Sequence, residues 1–381
     1  MSKSTCAAIV VAGVPANNAT LFLKIGLAAG DPAAWVSVDG RSTVIIRDIE
    51  QDRASEMGTS DSYASPADFS PDGGLDADRT IATAQAVAEL LHRQGVSSAT
   101  TDNSLPYVFA WHIMQRGITL DFDPELGVRE RRVKTEAQLA ALARAQQVTE
   151  QAMEMACTLI GRSSANADGT LQFDGAPLTS QRVKAEIAHF LLDHQFTMGY
   201  GAIVATAPDV ADCHHSGSGP LKSGQPVVVD IFPRDETSRF WGDCTRTVVH
   251  GTPSDTVVAM HQAVLAAKSA ATTLLSAGNT ADAVHRAAVE VLEQHGFQQS
   301  RGAISEVPTI QHGTGHGIGL EIHEPILLDE GGGPLLAGEV FTVEPGLYGR
   351  HDGGIRVEDM LVVTAGQPRN LNRLHDGLDW S

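Results

Sequence analysis

Apolar positions along the chain fall into short β-like runs and helical stripes whose order changes about a third of the way in. Up to residue 131, brief β-rich runs (Cys6–Val14, WVSVDG from Trp35, STVIIRD from Ser42) alternate with helical patterns. The clearest is Asp78–Gln94, where Ile81, Ala84, Val87, Ala88 and Leu91 recur at helical spacing. Residues 54–74, rich in Ser, Asp, Pro and Gly, predict an irregular loop. This part reads as α/β, without a nucleotide fingerprint or a cluster of histidines and carboxylates. Trp111 and His112 read as core packing.

Beyond it the rhythm becomes two helices and a hairpin, twice over. A basic cluster at Arg129–Lys134 reads as a solvated face, and one long helix follows with Leu139, Leu142, Ala145, Val148, Ala152, Met155 and Leu159 on a stripe. Residues 165–177 predict a loop, residues 179–196 a helix with Val183, Ile187, Phe190 and Leu191 inward, and Gly201–Pro208 a strand. In Pro226–His250 an apolar run ends at Asp230, a polar loop intervenes, and a β-rich run resumes after Asp243, giving a hairpin with one acid per arm. Ser254–Ser276 and Thr280–Gln294 predict two more helices, with Ser254 and Thr280 as N-caps and Gly278 and Gly296 as stops. A second hairpin puts Glu344 at the end of the strand in FTVEPGLY and Glu358 inside that of GGIRVEDMLVVT. The repeated order implies an internal duplication, with a site where the halves meet.

The chemistry follows from where the acids fall. A strand that is apolar to its last residue and then offers Asp or Glu sets that acid at the mouth of a site, because an unpaired buried carboxylate is too costly to keep. QHGTGHGIGLEIHEP holds His312, His316 and His323 among glycines that let the backbone approach closely. Four carboxylates and a histidine make a hard, oxygen-rich donor set, more than one divalent ion needs. Two ions ~3.5–4 Å apart that share bridging carboxylates would use all of it.

These segments resemble the metallopeptidase family of Xaa-Pro aminopeptidase (aminopeptidase P), prolidase and methionine aminopeptidase, over roughly residues 130–366. The motifs that carry the resemblance are D…DxTRT, HGxGHGxGLxxHE, EPGxY and GxRxED. It implies an α+β chain: an N-terminal α/β creatinase-like domain, 1–131, and a C-terminal pita-bread (creatinase-fold) catalytic domain, 132–381. The implied metal ligands are Asp230, Asp243, His316, Glu344 and Glu358, with Asp230 on one ion, His316 and Glu344 on the other, and Asp243 and Glu358 bridging. His214 is the implied pocket histidine, with a register uncertain against His215. His312 and His323 face the substrate, His323 toward the scissile carbonyl. Glu344 takes the proton from the attacking water, and Arg356 holds a carboxylate in place, with Arg246 a weaker candidate for the same task. The loop at 231–242 is longer than usual in that family by two residues, a change that preserves strand parity and is read as a rim feature.

The two-domain layout resembles the Xaa-Pro enzymes rather than methionine aminopeptidase. The expected reaction is therefore hydrolysis of the bond between an N-terminal residue and proline, as an aminopeptidase or a dipeptidase. The expected cofactors are two divalent ions, Mn(II) first on ligand hardness, with Co(II), Zn(II) or Fe(II) compatible. Homodimers are common in that family. The alternatives on the same fold are a metal-free creatinase-like enzyme, a metal-dependent dimethylsulfoniopropionate lyase, and a binding domain; the filled ligand set counts against them.

Composition narrows the partners. Against 27 Lys and Arg stand 46 Asp and Glu, a formal net charge of −19, which argues against binding nucleic acid or an anionic membrane. Cys6, Cys157, Cys213 and Cys244 form no CxxC pair and read as reduced thiols. The apolar run at the N-terminus is short for a signal-peptide core and no run is long enough to span a membrane. A cytoplasmic location is expected.

Overall fold

In the computed structural model of the chain, the described residues are 7–301 and 303–381; Cys6 lies outside them. The chain divides into two units, Met1–Arg131 and Arg132–Ser381.

Ala8–Gly13 is central to the first unit because its side chains are apolar on both faces. It pairs antiparallel with Ala33–Val38 and parallel with Ser98–Thr101, inside a six-stranded sheet completed by Arg41–Ile45, Ser62–Ala64 and Thr119–Phe122. Val10 and Ala12 pack in the core beneath the helix Arg79–Arg93, whereas Val11 packs with Leu21 and Ile25. A strand covered on both faces reads as a continuous apolar run. Asp78 caps the Arg79–Arg93 helix by accepting from the backbone N–H of Thr80 and Ile81. Residues 54–74 are more ordered than a loop: they hold the edge strand Ser62–Ala64 and a 3-10 turn at Pro66–Phe69. Trp111 is not a core residue. With Tyr107 and Met114 it stands exposed on the helix Tyr107–Gln115.

The second unit carries the helix–helix–hairpin order twice. Glu136–Gly161 begins at a capping box between Thr135 and Gln138 and buries Leu142, Ala145 and Ala152 completely. With the helix Ser180–Asp193 it covers an antiparallel sheet of Ile203–Ala205, Pro226–Ile231 and Cys244–Val249. In the second half, Asp255–Leu274 and Ala281–Gln294 are capped by Ser254 and Thr280 and share a core with strands of two further sheets. One holds Gly346–Gly349 and Gly353–Arg356, the other Gly315–Gly317, Val340–Val343 and Asp359–Val362. Among the described residues no helix is long and apolar enough to cross a membrane.

Four local expectations need correction, each because a tertiary partner overrode a local signal. Residues 165–177 lie within a small three-stranded sheet of Ser164–Ala165, Leu171–Phe173 and Ala176–Pro177, seated by fully buried Leu171. Gly353–Thr364 is not one strand: Gly353–Arg356 pairs in one sheet and Asp359–Val362 in another, so Glu358 sits at the crossover. The long hairpin loop is not a free rim, since Arg234–Asp235 pairs with Phe196–Thr197 and Asp235 is buried. Lys134, at the end of the basic cluster, is buried and donates to Glu324 Oε2 at 2.9 Å.

Gly242, beside Asp243, lies against the long helix, where a Cβ would stand 2.2 Å from Thr149 Oγ1 and 2.8 Å from the Ala145 carbonyl oxygen. Gly242→Ala is expected to lower stability by about 1–3 kcal/mol, read from the urea midpoint at unchanged m-value.

Candidate metal centre

The site begins with strand register. Asp230 lies opposite Thr245 in the hairpin. Opposite residues share a face and residues two apart share one too, so Asp230, Thr245 and Asp243 point the same way. From the second half, Glu344 follows Val340–Val343 directly, and Val343 pairs with Asp359, which sets Glu344 beside Glu358. The halves are joined through two threonines. Thr247 exchanges hydrogen bonds with the Arg356 backbone, the Thr245 carbonyl accepts from the Glu358 N–H at 3.1 Å, and Thr245 Oγ1 donates to Glu358 Oε2 at 2.8 Å.

His316 enters from Gly315–Gly317, a strand that lies so close to Val340–Val343 that a Cβ on Gly315 would stand 2.0 Å from the Thr342 carbonyl oxygen. Its Nδ1 lies 3.0 Å from its acceptor, the Gly317 carbonyl oxygen, which leaves Nε2 as the free lone pair. That Nε2 is 3.6 Å from both Asp243 Oδ2 and Glu344 Oε1. These gaps are too long for hydrogen bonds and short enough to share a cation. Asp243, His316 and Glu358 each offer a ligand atom within 4.8 Å of the others.

The electrostatics demand positive charge. Burial pushes Asp243 well above the usual carboxylate range, with the neighbouring Glu358, Asp230 and Glu344 adding to it. Glu358 is raised in the same way by burial and by Glu344 and Asp230. Glu344 is pushed up to about 7 by burial, with Arg356 pulling down and Asp230 up. Burial and nearby His323 hold His316 down to about 3, so its imidazole is neutral and available as a donor ligand. Arg356 donates to Asp230 Oδ2 at 2.7 Å, but buried Asp230 Oδ1 has no hydrogen-bond partner. An orphaned carboxylate oxygen, crowded acids and a neutral imidazole fit divalent cations.

All nine singled-out site residues line one cavity of about 810 Å³: Asp230, Asp243, His316, Glu344 and Glu358 with His214, His312, His323 and Arg356. His214 faces it, whereas His215 does not line it and its Nδ1 accepts from the Gly217 N–H. His323 stands at the wall with its ring edge-on to His316. His312 has both ring nitrogens engaged, Nδ1 with the Gly313 carbonyl oxygen at 2.8 Å and Nε2 with the Tyr348 hydroxyl at 2.7 Å, so it offers the cavity no free nitrogen. Arg246 lies outside the wall, bound to the Glu358 carbonyl oxygen, Asp359 and Asp376 rather than to a site carboxylate.

Three supporting residues escaped the sequence reading. Gln146, fully buried, accepts from the Asp243 N–H at 2.9 Å and donates to the Asp243 carbonyl oxygen at 2.6 Å. An amide one helical turn from Leu142 on the apolar stripe was its available signal. Tyr348 donates to His312 while accepting from Arg356 Nη1 at 2.9 Å. Glu324, held by Lys134, accepts from the Leu320 N–H and so anchors the loop that carries His323.

Gln146→Leu is expected to weaken divalent-metal affinity about 10- to 100-fold in calorimetric titration, since the Asp243 backbone loses both partners. Arg356→Met strands Asp230 as an uncompensated buried charge and is expected to cost about 3–5 kcal/mol in denaturant unfolding of the metal-free protein.

Residues 140–365 match the profile of metallopeptidase family M24. The probable dipeptidase PepE of Mycobacterium tuberculosis is 30% identical over 284 residues, 73% of this chain and 68% of that protein. Among solved structures, the Xaa-Pro dipeptidase from Bacillus anthracis superposes with a TM-score of 0.80 at 21% identity, covering 98% of this chain and 94% of that one. The X-Pro aminopeptidase from Thermotoga maritima gives 0.79 at 20% identity, covering 98% and 97%. The fold is thus the α+β one of these proteins, an N-terminal domain followed by a pita-bread domain. With its profile match spanning most of the second unit, the chain belongs to metallopeptidase family M24.

Proposed function

We propose that this metallopeptidase is a dinuclear exopeptidase that hydrolyses the bond between an N-terminal residue and proline. The observation that carries the reading is the convergence of Asp230, Asp243, His316, Glu344 and Glu358 on one cavity wall, with Asp230 Oδ1 buried and unpartnered. In this reading Asp230, Asp243, His316, Glu344 and Glu358 would hold the two ions. The preference for proline follows the names of the Bacillus anthracis and Thermotoga maritima enzymes. Mn(II) suits the oxygen-rich set best, and Co(II), Zn(II) and Fe(II) are compatible with it.

Two divalent ions held there supply Lewis acidity and a water acidic enough to serve as a nucleophile near neutral pH. The protein's groups do the rest. Glu344 accepts the proton as water attacks, and His323, at the cavity wall, donates a hydrogen bond to the developing oxyanion. His214, also at the cavity wall, orients the peptide. Arg356 holds Asp230 through Nη2 and keeps that carboxylate from turning away. We extend the proposal to a cytoplasmic homodimer. The three described cysteines are free and buried, and exposed Tyr107, Trp111 and Met114 give the first unit an apolar surface.

Metal-stripped protein is expected to leave Ala-Pro-Ala intact and to release alanine once Mn(II) is restored. Asp243→Ala should lower kcat/KM at least about 100-fold under the same conditions. Stoichiometric binding of two ions with no release of the first residue from any Xaa-Pro peptide would overturn the reading.

A further inference from the structure

A dipeptide ending in proline carries its free carboxylate one residue beyond the scissile bond, about 4 Å along the chain from the reacting carbonyl. A site that accepts it must supply a countercharge, because a carboxylate taken out of water without a partner is strongly disfavoured. Among the described residues lining the cavity, Arg356 is the sole Lys or Arg. It is buried, and its guanidinium already donates to Thr245 Oγ1, the Cys213 carbonyl oxygen, the Tyr348 hydroxyl and Asp230 Oδ2. Arg301 is not part of the wall and is ion-paired with Asp329, which is. Of the lining histidines, His312 has both ring nitrogens already engaged.

What the mouth offers instead is apolar. Tyr200, Phe232, Ile322 and Leu327 line the cavity, with Tyr200 80% and Leu327 51% exposed. At about 810 Å³ the cavity lies in the upper part of the roughly 300–1,000 Å³ range of small-ligand clefts, which leaves room beyond a proline ring.

Building on the Xaa-Pro reading above, we propose that the substrates are peptides of three or more residues, in which an amide follows proline, and that free Xaa-Pro dipeptides are poor substrates. A continuing chain brings no charge to the wall and meets apolar side chains and hydrogen-bonding groups. A dipeptide brings a carboxylate to a wall whose one arginine is engaged and whose rim carries Asp329. Leu327, paired across the strands with His316, marks a place where a cation could stand and does not.

The test uses the full chain reconstituted with Mn(II) at pH 8 and compares kcat/KM for Ala-Pro, Ala-Pro-amide and Ala-Pro-Ala. The amide and the tripeptide are expected to exceed the dipeptide by about tenfold or more. Leu327→Arg is expected to narrow that ratio about fivefold or more by supplying the countercharge. Equal kcat/KM for Ala-Pro and Ala-Pro-amide, or a ratio unmoved by Leu327→Arg, overturns the inference and leaves the peptidase standing. Release of alanine from none of the three substrates overturns the peptidase reading itself, and the inference with it.

Discussion

Like charge crowded into a buried wall is the constraint around which the second unit is built. Asp230, Asp243, Glu344 and Glu358 line a single cavity, and burial together with mutual repulsion raises the carboxyls of Asp243, Glu344 and Glu358. Among the described residues one protein cation, Arg356, meets this group directly, and the ion pair it makes is with Asp230. A buried group of acids with one arginine among them stays ionised only when further positive charge is brought in. Metal binding and folding of this wall are therefore linked through the same carboxylates.

Geometry is kept by backbone and threonine hydrogen bonds rather than by the acids themselves. The Thr245 and Thr247 contacts tie a strand of the first hairpin to the crossover of the second, and Glu358 stands at that crossover because its strand changes sheets there. Gln146 grips the backbone of Asp243 on both sides and reaches Asn372, which in turn accepts from the Met360 N–H. Behind the wall, Arg246 and Lys268 share Asp359 and Asp376. Burial works against ionised Asp359, but these two cations prevail and hold its carboxyl below the usual range. This network gives Arg246 a place in the scaffold, bracing the residue next to Glu358 without touching a site carboxylate.

Much of this was legible in the one-dimensional pattern. Asp230 and Glu344 end apolar runs, and the glycines around His316 announce a backbone that must pass close to another, as Gly315 does against Thr342. Caps at Ser254 and Thr280 were local chemistry and came out as side-chain hydrogen bonds at helix starts. By contrast, Leu171–Phe173 and Ser62–Ala64 are too short and too polar in context to announce themselves, since their partners lie across a turn or across an intervening helix. Lys134 looked like the end of a solvated charge run because nothing local marks Glu324, 190 positions on, as its partner.

The sequence by itself determined which residue types stand at strand ends, at which parity, and with which donor chemistry, because alternation and capping depend on neighbours within a few positions. It determined in this way the acids, the histidines and the repeated order of helices and hairpins. Only the tertiary structure decided which of two adjacent histidines faces the cavity, that both nitrogens of His312 are engaged, and that Arg356 is committed to Asp230 with no other lysine or arginine among the described lining residues. The last two of those outcomes depend on contacts between separate segments, His312 with Tyr348 36 positions on and Arg356 with Asp230 126 positions back, whose distances no local periodicity encodes.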